Sequence, residues 1–352
     1  MKWNVTMNNL LTRVFSSVRS AVLVVAALAA FLSTSPMVLA ASQLSQNSEQ
    51  EVNYSEHPKA LKFVNKMVEQ HGFERDYVQG LMNNALRKQS ILDAIARPAE
   101  RTLQWKKYRT IFVTETRAAQ GRVFMAEQAV ALARAERDFG VPKEIIAAVI
   151  GVETRYGHFK GRYRVLDALT TLGFDYPPRA RFFSKQLEHY LLLVREQDFD
   201  ATTVKGSYAG AMGFGQFIPS SYRDFAIDFD GDGVADIVDN ITDAIGSVAN
   251  YFKAHGWRPD KRVVSGATVT ADYNATLANK TLKPSFTPTQ LQDLGYRPTA
   301  PLAADALSAL FRLEGAQGTE HWLGLQNFYV ITRYNHSRLY AMAVYQLSEA
   351  LR

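Results

Sequence analysis

The sequence predicts a mainly α-helical (α+β) protein whose helical core carries a small strand-containing insertion. Three observations predict it. Apolar residues recur three and four apart over long stretches, glycine and proline punctuate those stretches, and one late segment, 263–300, changes pattern. The chain has 352 residues, of which 47% are hydrophobic and 21% charged, so it can bury a substantial core and has an ordinary globular balance.

The first 40 residues stand apart. Lys2, Arg13 and Arg19 supply positive charge with no acid before Glu49, an apolar run spans Ala21 to Leu32, and Pro36 and Val38-Leu39-Ala40 follow. That is the layout of a secretory signal peptide (1–40), with cleavage expected after Ala40. The run is shorter than the roughly 20 residues of a spanning helix, which weighs against an uncleaved anchor. The three basic residues are half of the formal net charge of +6, so the mature chain is only modestly basic. Such a balance suits an anionic polymer, and with no Lys/Arg stripe no nucleic acid is expected. The chain has no cysteine, which excludes disulfides, thiolate zinc sites and cysteine nucleophiles. A lipid anchor on an N-terminal cysteine is excluded likewise.

Residues 41–56, rich in Ser, Gln, Asn and Glu, read as a flexible lead. An N-terminal helical lobe is expected over 57–140, with core stripes at Leu61, Val64, Met67 and Val68 and at Val123, Ala126, Val130 and Ala133. Val141-Pro142 opens a helix through Ile145, Ile146, Val149 and Ile150 to Glu153, closed by Gly157. Helices continue to about Arg195, a glycine-rich stretch runs from Gly206 to Gln216, and another helix spans about Thr242 to His255. Residues 141–258 thus form the expected core. In 259–352, Val263, Val264, Val269 and Thr270 mark short strands, while Pro284, Pro288, Pro298 and Pro301 break helices. After Phe328-Tyr329-Val330-Ile331 the chain returns to helix from Arg338 to Leu351.

Between 228 and 239 the spacing is that of a calcium loop, with ligands at positions 1, 3, 5, 7, 9 and 12 and glycine at 6. Asp228, Asp230 and Asp232 would bind through side chains, Val234 through its carbonyl and Asp236 through water. The last ligand is Asp239, one methylene short of the usual glutamate, or Asp243 on the next helix. Aspartates at alternate positions repel one another without a cation, so a structural calcium is expected. The seven histidines show no metal spacing.

Glu153 ends an apolar helix, where packing disfavours the carboxylate and prepares it to donate a proton. By itself that argument is weak, since a helix-end glutamate is usually solvated or paired. The surrounding text decides. The stretches IGVETRYG (150–157), LDALTTLGFDYPPRARFF (166–183), KGSYAGAMGFGQFIPSSY (205–222), DAIGSVANYFKAHGW (243–257) and ITRYNHSRLYAMAVYQL (331–347) resemble, in order, those of the family-3 lytic transglycosylases. The resemblance spans nearly the whole mature chain. It implies a lysozyme-like helical catalytic core, with Glu153 as the catalytic acid and base. The implied reaction cleaves the β-1,4 bond between N-acetylmuramic acid and N-acetylglucosamine in peptidoglycan.

A typical glycosidase uses two carboxylates. One glutamate alone can protonate the leaving oxygen and then take a proton from the sugar's own C6 hydroxyl, giving a 1,6-anhydromuramoyl end. Asp167 and Asp175 are the candidates for a nearby second acid. The resemblance further implies substrate contacts for Ser207, Gln216, Tyr251, Tyr334, Asn335 and Tyr340, and more weakly for Tyr108. Where the family often carries two arginines, this chain has Pro178 and Arg179, so Arg179 carries the contact to a muramic or peptide carboxylate alone or with Arg181. The expected partners are glycan strands and other cell-wall enzymes, the expected place the periplasm, and the expected state a monomer. Two alternatives stay open: a muramidase that uses water, and a calcium-dependent peptidoglycan-binding protein without activity.

Overall fold

The computed structural model describes residues 52–96 and 103–352, so the signal peptide, most of the lead and residues 97–102 lie outside the described residues. At the centre is helix α7 (Lys143–Thr154), in which every side chain from Ile145 to Val152 is buried. A helix apolar all round has no solvent face, so it must be enclosed by others. Those are α5 (Glu115–Glu127), α6 (Ala129–Phe139), α11 (Ile241–Ala254) and α14 (Arg338–Leu351).

Of three further helices, α1 (Pro58–His71) and α3 (Gln89–Ile95) pack on α8 (Val165–Asp175) and α2 (Arg75–Asn84) packs on α1; α9 (Ala180–Glu196) also packs on α8, whereas α4 (Trp105–Phe112) leans on α14. The buried Glu188 of α9 joins this layer to the core, accepting from Lys66 and His71 of α1 and from Lys185. A buried carboxylate is tolerated because three cationic or hydrogen-bonding partners converge on it. Strands β1 (Tyr163–Arg164) and β2 (Lys205–Gly206) form a small antiparallel ribbon beside α8. Beyond α10 (Pro219–Phe225) and α11 comes the insertion, an antiparallel sheet of order β4-β3-β6-β5, from β3 (Val264–Val269), β4 (Tyr296–Pro298), β5 (Ala309–Gly315) and β6 (Gly318–Gly324). Helices α12 (Pro288–Asp293) and α13 (Gln326–Tyr334) complete the chain.

Several expectations need correction. Residues 52–56 are not loose: Asn53 bridges to Leu86, and the buried Tyr54 donates to Asp175 at 2.6 Å. The stripe at Val123, Ala126, Val130 and Ala133 faces solvent, with Val130 86% exposed, because the helix breaks at Gln128 and each half turns Phe124 or Leu132 inward instead. Leu61 is exposed as well, while Ala60 and Phe63 take the core face. Residues 328–331 are helical, and Pro288 starts a helix, where its missing N–H costs nothing. The boundaries at 140 and 258 mark changes of local structure within one compact unit, since α5, α6 and α14 all pack on α7. Among the described residues no helix is long and apolar enough to cross a membrane.

Candidate active site

The C-terminal end of α7 is held in three ways. Arg155 and Tyr156 adopt left-handed backbone, returning their N–H groups to Gly151 and Ile150 and closing the helix. The buried Thr154 hydroxyl lies 3.0 Å from the carbonyls of both Ile150 and Phe214 and accepts from Gly157 N–H at 3.0 Å. It therefore ties the helix end to the glycine-rich loop. Glu153 is left half-buried between these ties, and Tyr340 of α14 donates its hydroxyl to Glu153 Oε1 at 2.6 Å. Burial first, then the charge of Glu153, holds the Tyr340 phenol well above its ordinary pKa, so it remains a donor.

Around Glu153 lies a cavity of about 260 Å³ lined by Ser207, Tyr208, Ala209, Ala211, Gln216, Tyr334 and Asn335. Glu153 is the single carboxylate in that lining among the described residues. The two candidate partners are engaged elsewhere. Asp167 is buried and accepts from Leu86 N–H at 2.8 Å and from Arg164 at 2.7 and 2.9 Å. Asp175 accepts from Tyr54 and lies 3.5 Å from both His57 and Arg87.

Ser207 Oγ accepts from the N–H groups of Ala209 and Ala211, at 3.3 and 3.1 Å, which leaves its proton to be donated. Gln216 sits in left-handed backbone, and its Nε2 donates to the carbonyls of Lys160 and Gly213 at 3.1 and 2.9 Å. With its nitrogen so fixed, its Oε1 is the atom available to a ligand. Tyr334 stacks its ring near Tyr340 and donates to Gly215 O.

Of the other expected residues, Tyr251 lies 7% exposed behind the cavity, donating to Arg333 O at 2.7 Å and packing its ring 4.8 Å from Tyr334. It supports Tyr334 and does not line the cavity. Tyr108 is 1% exposed among core aromatics and is a packing residue. Arg179 lies outside this cavity, along an adjoining groove.

The loop is shaped by close approach of backbones. At Gly213, φ is +72° and an added Cβ would meet Ile237 O at 2.1 Å. Gly213→Ala is expected to destabilise by about 2–4 kcal/mol, from left-handed strain and forced displacement together. Denaturant titration checks it, and a change below about 0.5 kcal/mol would contradict the crowding.

Behind this loop, one oxygen from each of Asp228, Asp230, Asp232 and Asp243 falls within 4.8 Å of the others, an arrangement able to hold a hard divalent cation. Asp239 is not among them. Its carboxylate pairs with Lys160 Nζ at 2.8 Å instead, and the fully buried Asp243 reaches in from α11. Asp243 also accepts from Phe229 and Asp236 N–H, at 2.7 and 2.8 Å, and burial raises its pKa. The Val234 N–H donates to Asp232 at 2.9 Å, and its side chain is exposed. Sequence reasoning missed Thr154, Tyr208 and Lys160. The last donates to Val238 O at 2.7 Å while its own carbonyl holds Gln216, joining the acidic loop to the cavity.

A groove suits a polymer, and one acid beside sugar-compatible amides, hydroxyls and tyrosines suits cleavage by proton transfer, so the class is that of a glycan-cleaving enzyme. The Transglycosylase SLT domain family matches residues 55–349, and the chain belongs to that family. It is 44% identical over 308 residues to membrane-bound lytic murein transglycosylase B of Escherichia coli (strain K12), covering 85% of this chain and 84% of the relative. Among solved structures it is similar to soluble lytic transglycosylase SltB1 from Pseudomonas aeruginosa, with TM-score 0.80 and 51% identity over 84% of this chain and 98% of that one. It is also similar to the Escherichia coli lytic transglycosylase Slt35 in complex with calcium, with TM-score 0.78 and 43% identity over 87% and 97%. The protein is a peptidoglycan lytic transglycosylase, a lyase with a lysozyme-like helical core.

Proposed function

We propose that Glu153 alone serves as acid and then base, cutting the β-1,4 bond between N-acetylmuramic acid and N-acetylglucosamine and leaving a 1,6-anhydromuramoyl end. The observation that carries this is the cavity lining, in which Glu153 is the single carboxylate among the described residues. Protonated Glu153 gives its proton to the glycosidic oxygen as the C1–O bond breaks. The C6 hydroxyl then attacks C1, and its proton returns to Glu153, so no water is consumed. Tyr340 holds the carboxylate in one orientation through both steps. Ser207 donates to an acetamido carbonyl, Gln216 Oε1 and Asn335 bind sugar hydroxyls, and Tyr334 offers an aromatic face. Mass spectrometry of digested peptidoglycan tests this: products lighter by one water than the hydrolytic ones are expected, and reducing muramic acid ends would instead make the enzyme a muramidase.

Calcium fits the cluster of Asp228, Asp230, Asp232 and Asp243, since four hard carboxylate oxygens so close match the ligands it takes. A similar structure containing calcium supports the same reading. The ion would neutralise the loop and, through Lys160, steady Gln216; it would not replace the proton donor. At a calcium concentration 100-fold above Kd the ion adds about 2.7 kcal/mol of stability. Chelation should therefore lower Tm by roughly 5–8 °C, at about 2–3 °C per kcal/mol for a chain of this size. An unchanged melting curve in excess chelator would remove calcium from the account. The basic, apolar and small-residue order of residues 1–40 supports export to the periplasm, with no cysteine to take a lipid. Cell fractionation, with N-terminal sequencing for a start at Ala41, checks it.

A further inference from the structure

The acidic loop and the cavity around Glu153 meet along one seam, with Ile237 to Asp239 on one side and Gly213 to Gln216 on the other. Phe214 N–H donates to Ile237 O at 3.1 Å, and Phe214 O lies 3.0 Å from the hydroxyl of Thr154, next to Glu153 in the chain. Lys160 crosses the same seam from the turn after α7. Its Nζ donates to Val238 O at 2.7 Å and to Asp239 Oδ1 at 2.8 Å, and lies 4.7 Å from the centre of the Phe214 ring. Its carbonyl accepts from Gln216 Nε2 at 3.1 Å. Gln216 has a φ of +51°, which a residue with a side chain keeps only where its surroundings hold it. Both carbonyls that hold its amide, those of Lys160 and Gly213, belong to residues braced on the acidic loop. On the far side that loop is fixed to the carboxylate cluster. Asp236 N–H donates to Asp243 at 2.8 Å, and Asp236 Oδ1 accepts from Val238 and Asp239 N–H at 2.8 and 3.0 Å. Short hydrogen bonds thus lead from Asp243 to Gln216, and Lys160 carries them across the seam. The Asp239 side chain is 78% exposed, so its pair with Lys160 adds little stability; what it supplies is placement.

We propose that Lys160 is a positioning residue that couples the acidic loop to sugar binding, so that a cation on the loop and a glycan strand in the cavity each bind more tightly in the presence of the other. This coupling rests on the proposed roles of calcium and Gln216, and goes beyond them by making the two sites respond to each other. Without a cation, the four carboxylates whose oxygens lie within 4.8 Å repel one another. Asp243, which holds the 236–239 turn through Asp236, is one of the four. With a cation the turn keeps its place, Lys160 keeps Gln216 oriented, and less order has to be gained when sugar binds. Such coupling is reciprocal and commonly spans about 5–150-fold; one oriented side chain puts it at the low end, about fivefold.

The test uses the mature chain carrying Glu153→Gln, so that strands stay uncut, with calcium and peptide-free glycan strands as the probes. Calorimetry is expected to show strands binding about fivefold tighter in calcium than in chelator, and calcium binding about fivefold tighter with strands present. Adding Lys160→Met should bring both factors close to one while calcium still binds, and Lys160→Arg should keep most of the coupling. In the active enzyme with calcium, Lys160→Met should raise KM about fivefold and leave kcat within about twofold, since Gln216 meets sugar and not the leaving oxygen. A merely structural role would instead lower Tm and leave KM unchanged. Circular dichroism shows whether Lys160→Met stays folded; if it does not, Asp239→Asn, at the exposed partner, decides by the same loss of coupling. Equal strand affinity with and without calcium, in a chain that binds calcium, overturns the coupling alone, as does undiminished coupling in these variants. No heat of calcium binding strikes the calcium reading itself, and the coupling falls with it.

Discussion

Glu153→Gln is expected to lower turnover by about 10³-fold while leaving the affinity for glycan strands within about twofold. The amide keeps the size of the side chain and can still accept from Tyr340, so the cavity and its sugar contacts persist. What it loses is the proton that the leaving oxygen needs and the base that the C6 hydroxyl needs, each a step where a positioned acid or base contributes about 10²–10⁴. Because one residue performs both, no second carboxylate among the described residues of the lining can take over. Asp167 is held by Arg164 and Asp175 by Tyr54, and neither lines the cavity. Single-turnover digestion with a pull-down on insoluble peptidoglycan checks both halves. Turnover retained within tenfold would move the chemistry away from Glu153.

Tyr340→Phe is the second large effect, an expected loss of about 10–100-fold in kcat with KM nearly unchanged. The phenylalanine ring fills the same buried space, so the loss is that of one hydroxyl donating to Glu153 at 2.6 Å. Hydrogen bonds to charged groups contribute about 1.5–3 kcal/mol, which corresponds to that range. Tyr340 is 2% exposed and outside the lining of the cavity, a position from which its hydroxyl orients the acid. A rise in KM with unaltered kcat would show the opposite, a substrate contact, as the family resemblance implied. Thermal unfolding of the variant separates either result from simple loss of the fold.

These two residues show where sequence reading reached and where it stopped. The helix that ends at Glu153 was legible because its signals are local, an apolar run and a stop at Arg155 to Gly157 within a few residues, while the role of the glutamate came from the family resemblance. The glycine-rich loop and the alternation of Asp228, Asp230 and Asp232 are local in the same way, and their spacing carries the geometry. The Tyr340 hydroxyl reaches Glu153 from 187 residues away, and nothing in either neighbourhood encodes that meeting. A tyrosine in an apolar helical pattern can be core, sugar platform or acid holder, and Tyr108, Tyr251 and Tyr340 differ only in what the fold sets against them.

By itself, then, the sequence determined the helical class, the helix that ends at the acid, the tight loop and the acidic repeat, because helix period, capping and turn chemistry act over a few residues. Only the tertiary structure decided which face of α5 and α6 is buried, since a break at Gln128 rotates one half against the other. It also decided that Asp243 and not Asp239 joins the carboxylate cluster. Lys160, brought across from the end of α7, neutralises Asp239, and three backbone N–H groups hold Asp243 in place. Lys160 and Asp239 are 79 residues apart, and a buried polar group such as Asp243 goes where its hydrogen bonds can be completed.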